Sequence, residues 1–126
     1  MSFITHNVIE PFELLYYQTR DSRLPYKEWL DGVKDPVAYA AIQSRTDRLK
    51  RGLFGDCEPV GEGVWELRVD TGAGYRVYYA RARKHVVLLL CGGDKRRQSA
   101  DIKRAKSYAK DYEKRTRSRG GTRQGP

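Results

Sequence analysis

The chain has 126 residues, enough for one domain with one core. Its 39% hydrophobic and 33% charged residues exclude a disordered chain, and no window approaches the roughly 20 apolar residues of a membrane span. The net charge of +9 favours polyanionic partners, nucleic acid first.

Residues 8–17 form an apolar run that contains Pro11. Proline cannot donate to a strand ladder, so the first strand is expected to begin near Phe12. Pro25 fits the first turn of a short helix whose stripe is Tyr26, Trp29, Leu30 and Val33. Asp35-Pro36 opens a second helix: an N-cap carboxylate followed by proline at the first helical position. Its buried stripe is Ala38, Ala41, Ile42 and Leu49, and Gly52 closes it. Arg45 falls on or beside that stripe, while Arg48, Lys50 and Arg51 face water. The two helices are expected to form a helical hairpin, followed by a loop over residues 52–63.

Residues 63–79 hold the most informative pattern, two strands joined by a glycine-rich turn. Side chains alternate with period two, so Trp65, Leu67, Val69, Tyr75, Val77 and Tyr79 share the core face. Glu66, Arg68, Arg76 and Tyr78 share the other and are expected to form one solvated patch. Two guanidinium groups, a carboxylate and a phenol suit a phosphodiester. Residues 85–91 are apolar on both faces and read as the central strand. Ser99 can cap a last helix, with Asp101 in its first turn and a packed stripe of Ile102, Ala105, Ala109 and Tyr112. Residues 1–114 are thus one domain, and residues 115–126 a basic, glycine-rich, disordered tail. The fold expected is α+β, with a mostly antiparallel four-stranded sheet, an N-terminal helical hairpin and a C-terminal helix.

Cys57 and Cys91 stand far apart, with no CxxC and no Cys/His cluster, so neither a metal nor a redox motif is supported. The first fifteen residues lack a basic start followed by an apolar run, which leaves the cytoplasm as the expected compartment.

The order of elements, with GLFGDCEPVGEGVWELRV, GAGYRVYY, VVLLLCGGDK and Gln98-x-x-Asp101-Ile102, resembles the RelE/HigB-like toxins of bacterial type II toxin–antitoxin modules. More narrowly, it resembles the branch called addiction module killer proteins. The resemblance spans about residues 12–112. It implies a small microbial-ribonuclease-like fold, cleavage of messenger RNA in the ribosomal A site, no cofactor and no metal. The implied partners are a cognate antitoxin, mRNA and the ribosome. It further implies that Arg76 acts on the scissile phosphate, that Glu66 and Arg68 contact RNA or move protons, and that Lys95 and Arg96 supply a second basic position. The full set expected to be catalytic is Arg76, Arg68, Glu66 and Lys95. The set expected to bind RNA is Tyr78, Arg96, Arg97, Arg45 and Arg48.

The chemistry expected is attack of the RNA 2′-OH on the adjacent phosphorus, without metal. Arginine suits the charge-neutralising part because its planar fork binds phosphate oxygens bidentately. Glu66 is a candidate base, and Tyr78 could stack a base or act as an acid. Several relatives end in a tail histidine or tyrosine that moves protons. This chain has only His6 and His85, and beyond the last strand only Tyr108 and Tyr112. Two rival readings are a ParE-like toxin that poisons DNA gyrase and a non-catalytic RNA- or ribosome-binding module.

Overall fold

The computed structural model describes residues 11–124, with side chains through Arg117. His6 and the start of the first apolar run, residues 8–10, lie outside the described residues. Five strands form one mixed sheet in the order β1-β5-β4-β3-β2. They are β1 (Glu13–Tyr16), β2 (Cys57–Gly61), β3 (Val64–Val69), β4 (Tyr75–Arg83) and β5 (Val86–Asp94). All neighbours are antiparallel except β1, which runs parallel to β5.

The sheet is mostly antiparallel, as expected, but has five strands where four were expected. The extra strand, β2, lies in the segment expected to be a loop, and Cys57 with it. Its sequence, with Glu58, Pro59 and Gly61, carries little strand signal. It is nevertheless an edge strand, where a proline without an N–H is tolerated.

Three helices flank the sheet: α1 (Pro25–Asp31), α2 (Pro36–Lys50) and α3 (Gln98–Gln124). Asp35 caps α2 as its position implies, its Oδ1 accepting from the Val37 amide at 3.0 Å. The first two helices are not a hairpin packed on itself. Helix α1 lies on β5 and α2 on β1, β3 and β4. Each turns its apolar stripe to the sheet, which offers a far larger apolar surface than a seven-residue neighbour. Helix α3 covers the opposite face. It begins after a 3-10 turn, Lys95–Arg97, and the side chain that caps the entry is Asp94, not Ser99. The helix continues through the segment set apart above as a basic tail. Among the described residues no helix is long and apolar enough to cross a membrane.

Each face has its own core. Tyr26, Leu30, Ile42, Leu49, Leu67, Val77, Tyr79 and Leu89 pack on the α1/α2 side. Tyr17, Val64, Tyr78, Leu88, Leu90 and Ala105 pack on the α3 side. Strand β5 is buried on both faces, which accounts for its unbroken apolar run. A bulge between the Tyr78–Cys91 and Tyr79–Leu89 pairs leaves Leu90 unpaired. Leu90 and Cys91 therefore both face α3. Beyond the bulge Gly92 faces Trp29 of α1 and Gly93 faces Asp101 of α3.

Candidate functional site

The β3–β4 pairing sets Glu66 opposite Tyr78 and Arg68 opposite Arg76. Residues 70–74 close the hairpin, with Gly72 and Gly74 in the left-handed region that glycine adopts at least cost. All four side chains share one face, as the alternation implies. That face is not solvated, however: Glu66 is 1% exposed and Tyr78 0%. The first turn of α3 lies over them. Gln98 Nε2 donates to Glu66 Oε2 at 2.8 Å, and the Tyr78 hydroxyl donates to the same oxygen at 3.0 Å. Arg76 Nε stands 3.4 Å from Glu66 Oε2, and Arg68 Nε 3.4 Å from Oε1. A buried carboxylate needs such company, since an uncompensated charge in an apolar interior is strongly disfavoured.

This burial changes two assignments. Tyr78 has no ring surface on which to stack a base. Burial, reinforced by the Glu66 charge, also drives its phenol far above its ordinary range, so it holds its proton on Glu66. Glu66, with both oxygens engaged, anchors two arginines.

Arg76 is the side chain this anchor serves. It keeps 15% of its surface. Its Nε is buried without a hydrogen bond, facing Glu66 at ion-pair distance. The outer nitrogens hydrogen-bond to no protein group among the described residues, so the guanidinium fork is open. Across the sheet Arg76 pairs with Gly93, which presents no side chain. Immediately beyond β5 come Lys95, Arg96 and Arg97, all exposed. The Lys95 amide donates to Gly74 O at 3.2 Å, tying this turn to the β3–β4 hairpin. Arg96 is held by Asp94 at 3.1 Å, whereas Lys95 and Arg97 have no acidic partner among the described residues. Arg68 is more heavily neutralised, by Glu58 at 2.5 Å, Glu66 at 3.4 Å and Asp56 at 3.5 Å.

Arg45 and Arg48 are not part of this cluster. Both lie on α2, across the sheet. Arg45 is a structural clamp: one terminal nitrogen donates to Arg68 O at 2.8 Å and the other to Phe54 O at 3.3 Å. Gly55 closes over it at φ 64°, where a Cβ would stand 2.6 Å from the guanidinium. Arg48 is exposed on the helix surface. His85 closes the turn before β5, at the opposite end of that strand from Lys95, with Nδ1 3.1 Å from Pro11 O.

Two side chains of the site carry more than their sequence positions implied. Gln98 reaches Glu66, and Asp101, expected only to complement the helix dipole, is 2% exposed. Asp101 Oδ1 accepts from Arg104 at 2.6 Å, while Oδ2 packs on Gly93 without a partner. Burial raises its pKa from the ordinary aspartate value, against the lowering pull of Arg104 and Arg97. The signal was the spacing itself, because residues three apart on a helix share a face. Both cysteines are free thiols. Among the described residues no group of three His, Cys, Asp or Glu side chains could hold a metal ion.

Residues 28–116, from α1 into α3 and so including the whole cluster, match the model of the family described as phage derived protein Gp49-like (DUF891). The chain is also 47% identical over 88 residues to a protein of Haemophilus influenzae named only as an uncharacterized protein. That match covers 70% of this chain and 89% of the relative.

Proposed function

The chain belongs to the family of phage-derived Gp49-like proteins, a family associated with the toxins of toxin–antitoxin modules, and we propose that it is a toxin that stops translation by cutting mRNA on the ribosome. Family membership implies a cognate antitoxin as partner. The net charge of +9 suits both an acidic antitoxin and ribosomal RNA.

One observation carries the reading. A buried carboxylate holds the inner nitrogen of Arg76 and leaves the outer fork open, beside the exposed Lys95 and Arg97. In the reaction the 2′-oxygen bonds to phosphorus, the bond from phosphorus to the 5′-oxygen breaks, and the 2′ proton is lost while the 5′-oxygen gains one. Charge builds on the non-bridging oxygens. A fork fixed before the substrate arrives binds those oxygens without reorganising, and such donors are worth about 3 to 4 kcal/mol in a transition state. Glu66 acts by positioning, because its oxygens are occupied and covered. Lys95 and Arg97, on the turn after β5, hold the RNA backbone, and Arg68 adds a partly neutralised second cation.

The test is a cell-free bacterial translation reaction, with cuts in a defined message mapped by primer extension. Cuts in register with the reading frame, lost in Arg76→Ala while its melting curve stays that of the wild type, are the expected result. An intact message with the wild-type protein would overturn the reading, and a gyrase supercoiling assay would then be the next measurement.

A further inference from the structure

Next to Arg76, on the far side of Gly93, the protein has a cleft of about 580 Å³ between α1, the end of β5 and the start of α3. Strand β1 pairs with β5 only as far as Leu89, so the edge of β5 beyond it is not covered by a strand. The floor is Gly92 and Gly93. Neither tolerates a side chain: a Cβ on Gly92 would stand 2.2 Å from the Trp29 ring, and one on Gly93 would stand 1.9 Å from Asp101. Trp29 thus lies directly on the strand backbone and is half-buried, one wall of the cleft.

The other walls alternate cation and anion. Arg23 is paired with Glu28 at 2.6 Å, Arg104 with Asp101 at 2.6 Å, and Arg96 with Asp94 at 3.1 Å. Three of the four arginines lining the cleft are therefore locally neutralised, and only Arg97 brings unmatched charge. Such a lining is poorly suited to a phosphate, which wants donors alone. It suits a flat, neutral ligand whose rim carries both donors and acceptors, with an indole beside it. Each paired carboxylate keeps spare lone pairs, since an ionised carboxylate offers about four acceptor sites.

We propose that this cleft is a nucleobase subsite, and that it takes guanine. Guanine fits both kinds of wall. Its O6 and N7 are a pair of acceptors that a guanidinium forks. Its N1–H and N2–H₂ are a pair of donors that a carboxylate forks. Uracil has one such donor, and adenine and cytosine lack the paired donors. The cleft adjoins the phosphate position because Gly93 is the cross-strand partner of Arg76, and neighbouring strands lie about 4.8 Å apart. On the ribonuclease reading above, on which this assignment rests, a nucleotide with its phosphate on Arg76 places its base in the cleft.

The test reads binding and cutting separately. The chain has two tryptophans, Trp29 and Trp65. In a Trp65→Phe background, Trp29 alone reports as the four nucleoside 5′-monophosphates are titrated in. Saturable quenching is expected with guanosine monophosphate, at least fivefold tighter than with the other three, and weakened several-fold by Arg97→Ala and by Glu28→Gln. In the mapped cuts, Glu28→Gln is expected to lose guanine preference at one position while still cutting. No saturable response to any nucleotide up to roughly 10 mM, a dissociation constant weaker than about 3 kcal/mol of binding, would overturn the assignment even if the protein cuts RNA. So would an equal response to inorganic phosphate. Guanine-selective binding in a protein that cuts no message would leave the subsite standing and remove the ribonuclease reading.

Discussion

Replacing Glu66 by glutamine tests whether the buried carboxylate is an anchor or a proton acceptor. The substitution keeps shape and removes charge. In the wild type, Oε2 accepts from Gln98 at 2.8 Å and Tyr78 at 3.0 Å, and the carboxylate faces two guanidinium nitrogens at 3.4 Å. A hydrogen bond to a charged acceptor is worth about 1.5 to 3 kcal/mol and a neutral one about 0.5 to 1.5. Two bonds so weakened cost about 2 kcal/mol. Arg76 also loses its counter-charge. That term is discounted because Arg76 is partly exposed, and Arg68 keeps Glu58 and Asp56. The expected loss is about 2 to 3 kcal/mol, read as a drop in the urea midpoint with unchanged slope. A double-mutant cycle with Arg76→Ala should show coupling, since the two side chains touch. In the translation assay Glu66→Gln should cut more slowly, with a pH–rate profile of the same shape as the wild type. An unchanged urea midpoint would refute the anchor. Loss of the acidic limb of the profile would instead make Glu66 the proton acceptor.

Three further outcomes follow from the packing. Gly93→Ala drives a Cβ into Asp101, 1.9 Å from Oδ2 and 2.9 Å from Cγ; overpacking of this kind costs about 1 to 3 kcal/mol, and adding Asp101→Ala should restore part of the melting temperature. Arg45→Ala should cost about 2 kcal/mol through two lost bonds to backbone carbonyls, and Arg45→Lys should not rescue it, because an ammonium cannot reproduce the planar fork; chemical denaturation reads both. Tyr17 donates to Asp111 at 2.6 Å, and burial, with that bond second, pushes its phenol up to about 12. The folded state thus binds this proton more tightly than the unfolded chain. Its stabilisation is complete below pH 10 and is lost as the pH rises from 10 towards 12. Tyr17→Phe should be less stable at pH 8, and the gap should narrow in melts above pH 10; a gap that stays constant would refute the assignment.

Much of this protein is written in local pattern. Period-two alternation places Glu66, Arg68, Arg76 and Tyr78 on one face. Asp35-Pro36 starts a helix because an N-cap acceptor and a preset φ act within one turn. The doubly apolar run of β5 states that the strand is covered on both sides. Each of these signals depends on residues a few positions apart. What the local pattern cannot say is what lies over a face. The expected solvated patch is the buried Glu66 cluster, because Gln98 and Asp101, some thirty residues downstream, close over it. The strand β2 has weak propensity of its own and forms because β3 offers an open edge. Arg45, expected to bind RNA, is spent on the carbonyls of residues 54 and 68. Apart from β2 and the C-terminal extension of α3, the sequence by itself determined the elements, their inward faces and the arginines available for a phosphate. The tertiary structure alone decided which of those arginines remain free, because whether a charge is exposed, paired or clamped depends on packing between segments distant in the chain.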